Sequence, residues 1–285
     1  MVNPSPDNNR DESRLRPGVE LRWPASALWR PGEPAVRTIG LVDLKDAVAK
    51  GIEDFKAVPT HAFFLCVIYP IIGLFLVGLL LGYEMLPLIY PLMAGFAFIG
   101  PLASLGLFEL SRRREKGLDA SPWHALNVLQ SPSSGAIVTI GVMLFAIFFA
   151  WLGVAQIMYA HIMPGPVPAS LEEFIHQIFT TSAGRQLIIR GNVAGFAFAV
   201  VVLAIGVFSF PMLVDRNVRA ATAVRTSVRG VLASPMTMAL WGLFVAAALA
   251  VGTLPFFLGL AVVLPVLGHS TWHLYRKVVS ADEVI

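Results

Sequence analysis

Six apolar runs alternate with short polar segments along this chain, at about 61–82, 85–110, 136–159, 187–214, 235–253 and 255–275. A helix rises about 1.5 Å per residue, so roughly 20 apolar residues cross about 30 Å of hydrocarbon. The pattern predicts an all-α polytopic membrane protein with six transmembrane helices. Before the first run, 42–56 has a helical period: Leu44, Val48, Ile52 and Phe55 recur, and Lys45, Asp46, Lys50, Glu53 and Asp54 fill the other face. That segment reads as an amphipathic helix stopped near Pro59. In the long loop 163–186, Ser170-Leu-Glu-Glu173 reads as a capping box. Leu171, Phe174, Ile175 and Ile178 follow as one apolar stripe, with Gly184 as the expected stop.

The expected division is a disordered leader 1–38, an amphipathic helix 39–59, a membrane domain 60–279 and a tail 280–285. The leader holds Pro4, Pro6, Pro17, Pro24, Pro31 and Pro34 among charges, which cannot bury a core. Its Trp23 and Trp29, beside Arg22 and Arg30, suit a membrane surface. A threefold repeat is also legible. Phe55-Lys-Ala-Val-Pro59, Val128-Leu-Gln-Ser-Pro132 and Val231-Leu-Ala-Ser-Pro235 each enter a pair of runs. Leu110-Ser-Arg112, Leu213-Val-Asp-Arg216 and Leu274-Tyr-Arg276 each end one. Three hairpins, each preceded by a cytoplasmic amphipathic helix, would give this pattern. Proline's suitability for a first helical turn would give the same junctions without any repeat.

Charge sets the orientation. Of 21 Lys and Arg, only Arg185 and Arg190 fall on the side away from the two termini. Positive-inside bias then puts both ends in the cytoplasm, in a multi-pass protein of a bacterial inner membrane. Charged residues make up 14% of the chain, against about 25% in soluble domains. The bases flank apolar runs, so the expected partners are the bilayer, with anionic lipids at its cytoplasmic face, and a membrane protein, not nucleic acid. The single cysteine, Cys66, allows no internal disulfide.

Polar residues inside the runs are the place to look for chemistry. His269 and His273 are four apart on one helical face, and Glu109 is a carboxylate within the second run. Together they are the candidate metal, haem or proton site. The plainer reading pairs Glu109 with Arg112 or Arg113 and lets the histidines bond Ser104, Ser111 or backbone carbonyls. Arg190, beside Asn192, is a candidate polar contact or a snorkelling side chain. Prolines such as Pro87, Pro91, Pro101, Pro211 and Pro265 lie within the runs. They would kink helices and, in a transporter, open a path. Gly78-x3-Gly82 and Gly191-x3-Gly195 permit close helix contact. No phosphate loop, nucleophile elbow, zinc-protease pair or dinucleotide fingerprint is present.

Gly100-Pro101 through Glu109-Leu-Ser-Arg-Arg113, Phe210-Pro-Met-Leu-Val-Asp-Arg216 and Leu264-Pro-Val-Leu-Gly-His-Ser-Thr-Trp-His-Leu-Tyr-Arg276 carry a resemblance. Together they resemble the bacterial family of integral membrane proteins called domain-of-unknown-function family 2189, from about residue 39 to 279. The resemblance implies an inner-membrane location and a helical fold, and no activity. The function expected is a non-catalytic accessory, assembly or interaction component, with no resident cofactor. A small transporter or channel, and a haem or metal carrier using His269 and His273, stand beside it as alternatives.

Overall fold

The computed structural model describes residues 34–58, 73, 83–166, 168, 170–254 and 258–284. The leader through residue 33, and all of the expected first span except Gly73, lie outside them. So do Cys66 and the Gly78-x3-Gly82 pair. The described residues form helices and one two-stranded ribbon.

Strand β1 (Pro34–Val36) pairs antiparallel with β2 (Val279–Val284). Helix α1 (Leu41–Ala57) follows. Short pieces then occupy the second apolar run: a 3-10 turn at Tyr83–Leu88, α2 (Ile89–Phe96), a turn at Ala97–Ile99, α3 (Gly100–Ala103) and α4 (Leu105–Glu115). This run was expected as one span. Pro87, Pro91 and Pro101 each lack an N–H and clash with the carbonyl four residues back, which accounts for the interruptions. A 3-10 segment, Pro122–Gln130, leads to α5 (Ser134–Ile162). Then come α6 (Leu171–Thr180), α7 (Ser182–Gly206), α8 (Ser209–Asp215), α9 (Ala220–Ala233), α10 (Pro235–Thr253) and α11 (Leu260–Val278).

Among the described residues, three segments are long and apolar enough to cross a membrane: Ser134–Ile162, Ser182–Asp215 and Pro235–Thr253. They match the third, fourth and fifth runs. The second of them bends at Val207–Phe208, where Pro211 cannot donate to the carbonyl of Val207. The Phe208 N–H turns instead to Ser227 Oγ, 3.1 Å away on α9.

Each segment sorts its apolar side chains by a helical period. On α5, Ile137, Ile140, Leu144, Phe148 and Trp151 are buried, while Val138, Val142, Phe145 and Phe149 are exposed. On α7, Ile189, Val193, Phe196 and Val200 repeat the exposed stripe. Uncovered apolar stripes of this length suit a hydrocarbon solvent. Inside, the Trp151 ring lies 5.6 Å from that of Phe198, and its indole donates to the Pro91 carbonyl at 2.8 Å. A Cβ on Gly195 would reach Trp151 at 3.2 Å, whereas Gly191 faces open space. Only the second glycine of that pair seats a neighbour.

Ser170 caps α6 as expected, its Oγ accepting from the Glu173 N–H at 3.1 Å. Gly184 does not stop that helix. Thr181 caps the next one, and Gly184 lies within α7, where a Cβ would strike the end of α6 at the Gln177 carbonyl, 2.6 Å away.

Candidate functional site

Helix α1 packs along α11 through small residues. Its buried positions are Leu44, Ala47, Gly51 and Asp54, at helical spacing. A Cβ on Gly51 would meet the Ser270 backbone nitrogen at 2.7 Å, so only glycine allows this approach. Of the apolar stripe read from the sequence, Leu44 is buried and Val48 packs against the core, while Ile52 is exposed. Asp54, expected on the solvated face, is 5% exposed.

Asp54 is the hub of the polar end of the bundle. Its carboxylate accepts from Ser111 Oγ at 2.6 Å, Arg114 Nη1 at 2.5 Å and His273 Nε2 at 2.8 Å. His269 Nδ1 lies 2.7 Å from Ser111 Oγ and 3.8 Å from the carboxylate. A hydroxyl has one proton, and Ser111 gives it to Asp54. His269 Nδ1 must therefore be the donor to Ser111. The result is a directed chain from His269 through Ser111 to Asp54, with His273 donating from the other side. The imidazole of His269 is not set to take the Ser111 proton, as an activated nucleophile would need. Burial pushes the Asp54 carboxyl up. The hydrogen bonds from His273 and Ser111 and the fields of both imidazoles together outweigh burial and hold the group below its ordinary value.

Glu109 does not join the histidines. It is 4% exposed and closed by its own helix: Arg112 reaches it through Nε at 2.7 Å and Nη2 at 2.9 Å, and Arg113 at 3.7 Å. The structure thus brings His269 and His273 together around Asp54. Glu109 pairs at helical spacing. Among the described residues, no group of three or more His, Cys, Asp or Glu side chains is arranged to hold a metal ion. Arg190 lies on the exposed face of α7, and its neighbour Asn192 accepts from the Tyr90 hydroxyl at 2.7 Å.

A second tier of pairs extends the cluster. Glu115 accepts from Trp272 Nε1 at 3.1 Å and Arg276 Nε at 3.0 Å. Asp215 accepts from the Tyr275 hydroxyl at 2.9 Å and lies 3.4 Å from Arg276. Lys277 bridges to Asp46 at 2.8 Å and Asp43 at 3.3 Å on α1. The three arginine-bearing ends noted in the sequence therefore converge.

Residues 89–215 match the family model described as predicted integral membrane protein (DUF2189). The protein is an integral membrane protein with several apolar helices. The DUF2189 segment carries Glu109, Ser111, the three arginines after it and Asp215; Asp54 and both histidines fall outside it. No curated protein and no solved structure matches the chain.

Sequence reasoning missed Asp54 because its neighbours Glu53 and Lys50 are solvated and the helix read as amphipathic. A signal was present: Ala47, Gly51 and Asp54 lie at spacings of four and three, a small-residue face with one carboxylate on it.

Proposed function

We propose that the protein is a non-catalytic component of a bacterial inner membrane system. Its polar end is a preformed platform for a membrane-protein partner. The observation that carries this reading is the closure of Asp54 and Glu109 by neighbouring side chains. The Asp54 bonds fix three helices against one another, and both carboxylates are taken up by side chains instead of being left to act on a substrate. Two-ended affinity tagging in mild detergent is the test. A partner recovered reproducibly with either tag is expected. Recovery of the isolated chain alone with both tags contradicts the reading.

The proposal includes six spans with both ends cytoplasmic and three hairpin units. Support comes from the ribbon that joins residues 34–36 to 279–284 and so brings the two ends together. Further support comes from α1, Pro122–Gln130 and α9, short helical pieces that precede Pro59, Pro132 and Pro235. Reporter fusions after Asp7 and Glu283 are expected to report cytoplasm at both positions; opposite sides would refute this topology. The interrupted helix at 83–115 favours a second reading, a small transporter. Flux in liposomes above that of empty vesicles, across a panel of ions and metabolites, would support it; none would count against it.

A further inference from the structure

Helix α6 presents three kinds of surface. Phe174 and Ile178 are half-buried, and the Phe174 ring lies 6.3 Å from that of Tyr159, near the end of α5. Glu173, His176 and Thr180 are exposed on the polar side, with Glu172 at its edge. Between these two sides on the helical wheel runs a stripe at four-residue spacing. It consists of Leu171, Ile175 and Phe179, exposed by 41%, 47% and 70%. A helix packed on the bundle and otherwise in water needs one apolar side. This one carries a second.

The position of α6 along the spans decides what that second side meets. Tyr159 lies about 39 Å along α5 from Ser133, whose hydroxyl bonds the Arg216 carbonyl at the polar end. Helix α6 is therefore at the end of the bundle away from Asp54. Thr181 alone separates it from α7, with Oγ1 accepting from the Gly184 N–H at 2.9 Å and donating to the Gln177 carbonyl at 2.7 Å. The depth comes from α7. Arg185 and Arg190 are exposed and make no hydrogen bond or ion pair among the described residues. They lie about 5 and 12 Å along α7 from its first residue. A guanidinium is costly in hydrocarbon and reaches for headgroups instead. Roughly 20 residues, about 30 Å of hydrocarbon, counted from Arg190 end near Phe210. Phe210 and Asp215 both belong to α8, and Asp215 is part of the polar cluster. Both ends of the span thus agree, and the start of α7, with the helix joined to it, lies at headgroup level.

We propose that α6 lies in the interfacial layer of the bilayer, with Leu171, Ile175 and Phe179 entering the boundary between headgroups and acyl chains. Lipid is the occupant of the stripe. The contact is independent of the partner proposed above, whose platform is at the other end of the bundle. The topology names only the leaflet, and a measurement of depth does not depend on it.

The test uses the full chain with Cys66→Ser and one new cysteine at a time, Ile175→Cys, Phe179→Cys or Glu173→Cys. Each carries a nitroxide and is reconstituted in vesicles of phosphatidylglycerol and phosphatidylethanolamine. Electron paramagnetic resonance then compares collisions with oxygen, which concentrates in hydrocarbon, and with a water-soluble nickel chelate present on both sides of the vesicle wall. The ratio of oxygen to nickel collisions is expected to be several-fold higher at positions 175 and 179 than at 173. Ile175→Cys and Phe179→Cys are separate reporters at exposed positions, so the failure of one to reconstitute leaves the other. Equal nickel access at all three positions puts the stripe in water and overturns the proposal. Poor access of both reagents at 175 and 179 means that protein covers the stripe, a second copy or a partner, and overturns it as well.

Discussion

Asp54 and Glu109 are almost equally hidden, at 5% and 4% exposure, yet their surroundings differ in kind. Glu109 is neutralised by Arg112 and Arg113, one turn along its own helix. Asp54 leaves its helix, meets α4 through Ser111 and Arg114, and meets α11 through His273. The first arrangement would survive in an isolated helix. The second exists only when three helices are assembled. A buried carboxylate therefore reports on architecture only when its partners are distant in sequence.

The difference is open to attack by substitution. Asp54→Ala should have the largest effect, because it strands Arg114, His273 and Ser111 around an empty place. Removing one partner of a buried pair costs about 3–5 kcal/mol. A marked fall of the thermal unfolding midpoint in detergent checks it. Gly51→Ala comes next. The new methyl must displace α11 backbone at Ser270, and overpacking of this sort costs about 1–3 kcal/mol. The same melting experiment reads it, with Ala47→Gly on the same face as a control that adds no volume. Glu109→Gln should cost less, about 1–2 kcal/mol, since the lost bonds are to arginines that still reach water. A Glu109 variant that melts lower than Asp54→Ala would reverse the ranking.

Acid gives the smallest effect and the sharpest sign. The Asp54 carboxyl sits below its ordinary value when folded. Its contribution is complete above the unfolded value, about 3.9, and disappears as pH falls through the lower folded value. The stability gap between wild type and Asp54→Asn should hold steady from neutral pH down to about 5 and close below about 4. A gap that closes between pH 7 and 5 would assign it to another group.

Much of the fold was legible because lipid enforces a simple code. The third, fourth and fifth runs form helices long and apolar enough to cross a membrane, and the fifth run coincides with α10. The second run was legible as apolar, and Pro87, Pro91 and Pro101 as positions that kink it; its division into short helical pieces is set by local geometry that composition does not register. Helix α1 runs over Leu41–Ala57, and it buries Leu44 of the apolar stripe together with Ala47, Gly51 and Asp54. Large apolar residues suggested a stripe through Ile52, whereas shape set the contact: Ala47 and Gly51 let α1 lie against Ser270. His269 and His273 were legible as a pair from their spacing. Their partner was not, because 219 positions separate Asp54 from His273, and no periodic signal spans that distance.

Asp54 ties α1 to the rest of the bundle through Ser111, Arg114 and His273. A double-mutant cycle on Asp54→Asn and His273→Gln, read as unfolding free energy in one detergent, tests it most directly. The expected coupling is about 1 kcal/mol or more, as for residues sharing one hydrogen-bond network. Additivity within about 0.3 kcal/mol, the behaviour of independent sites, would contradict it.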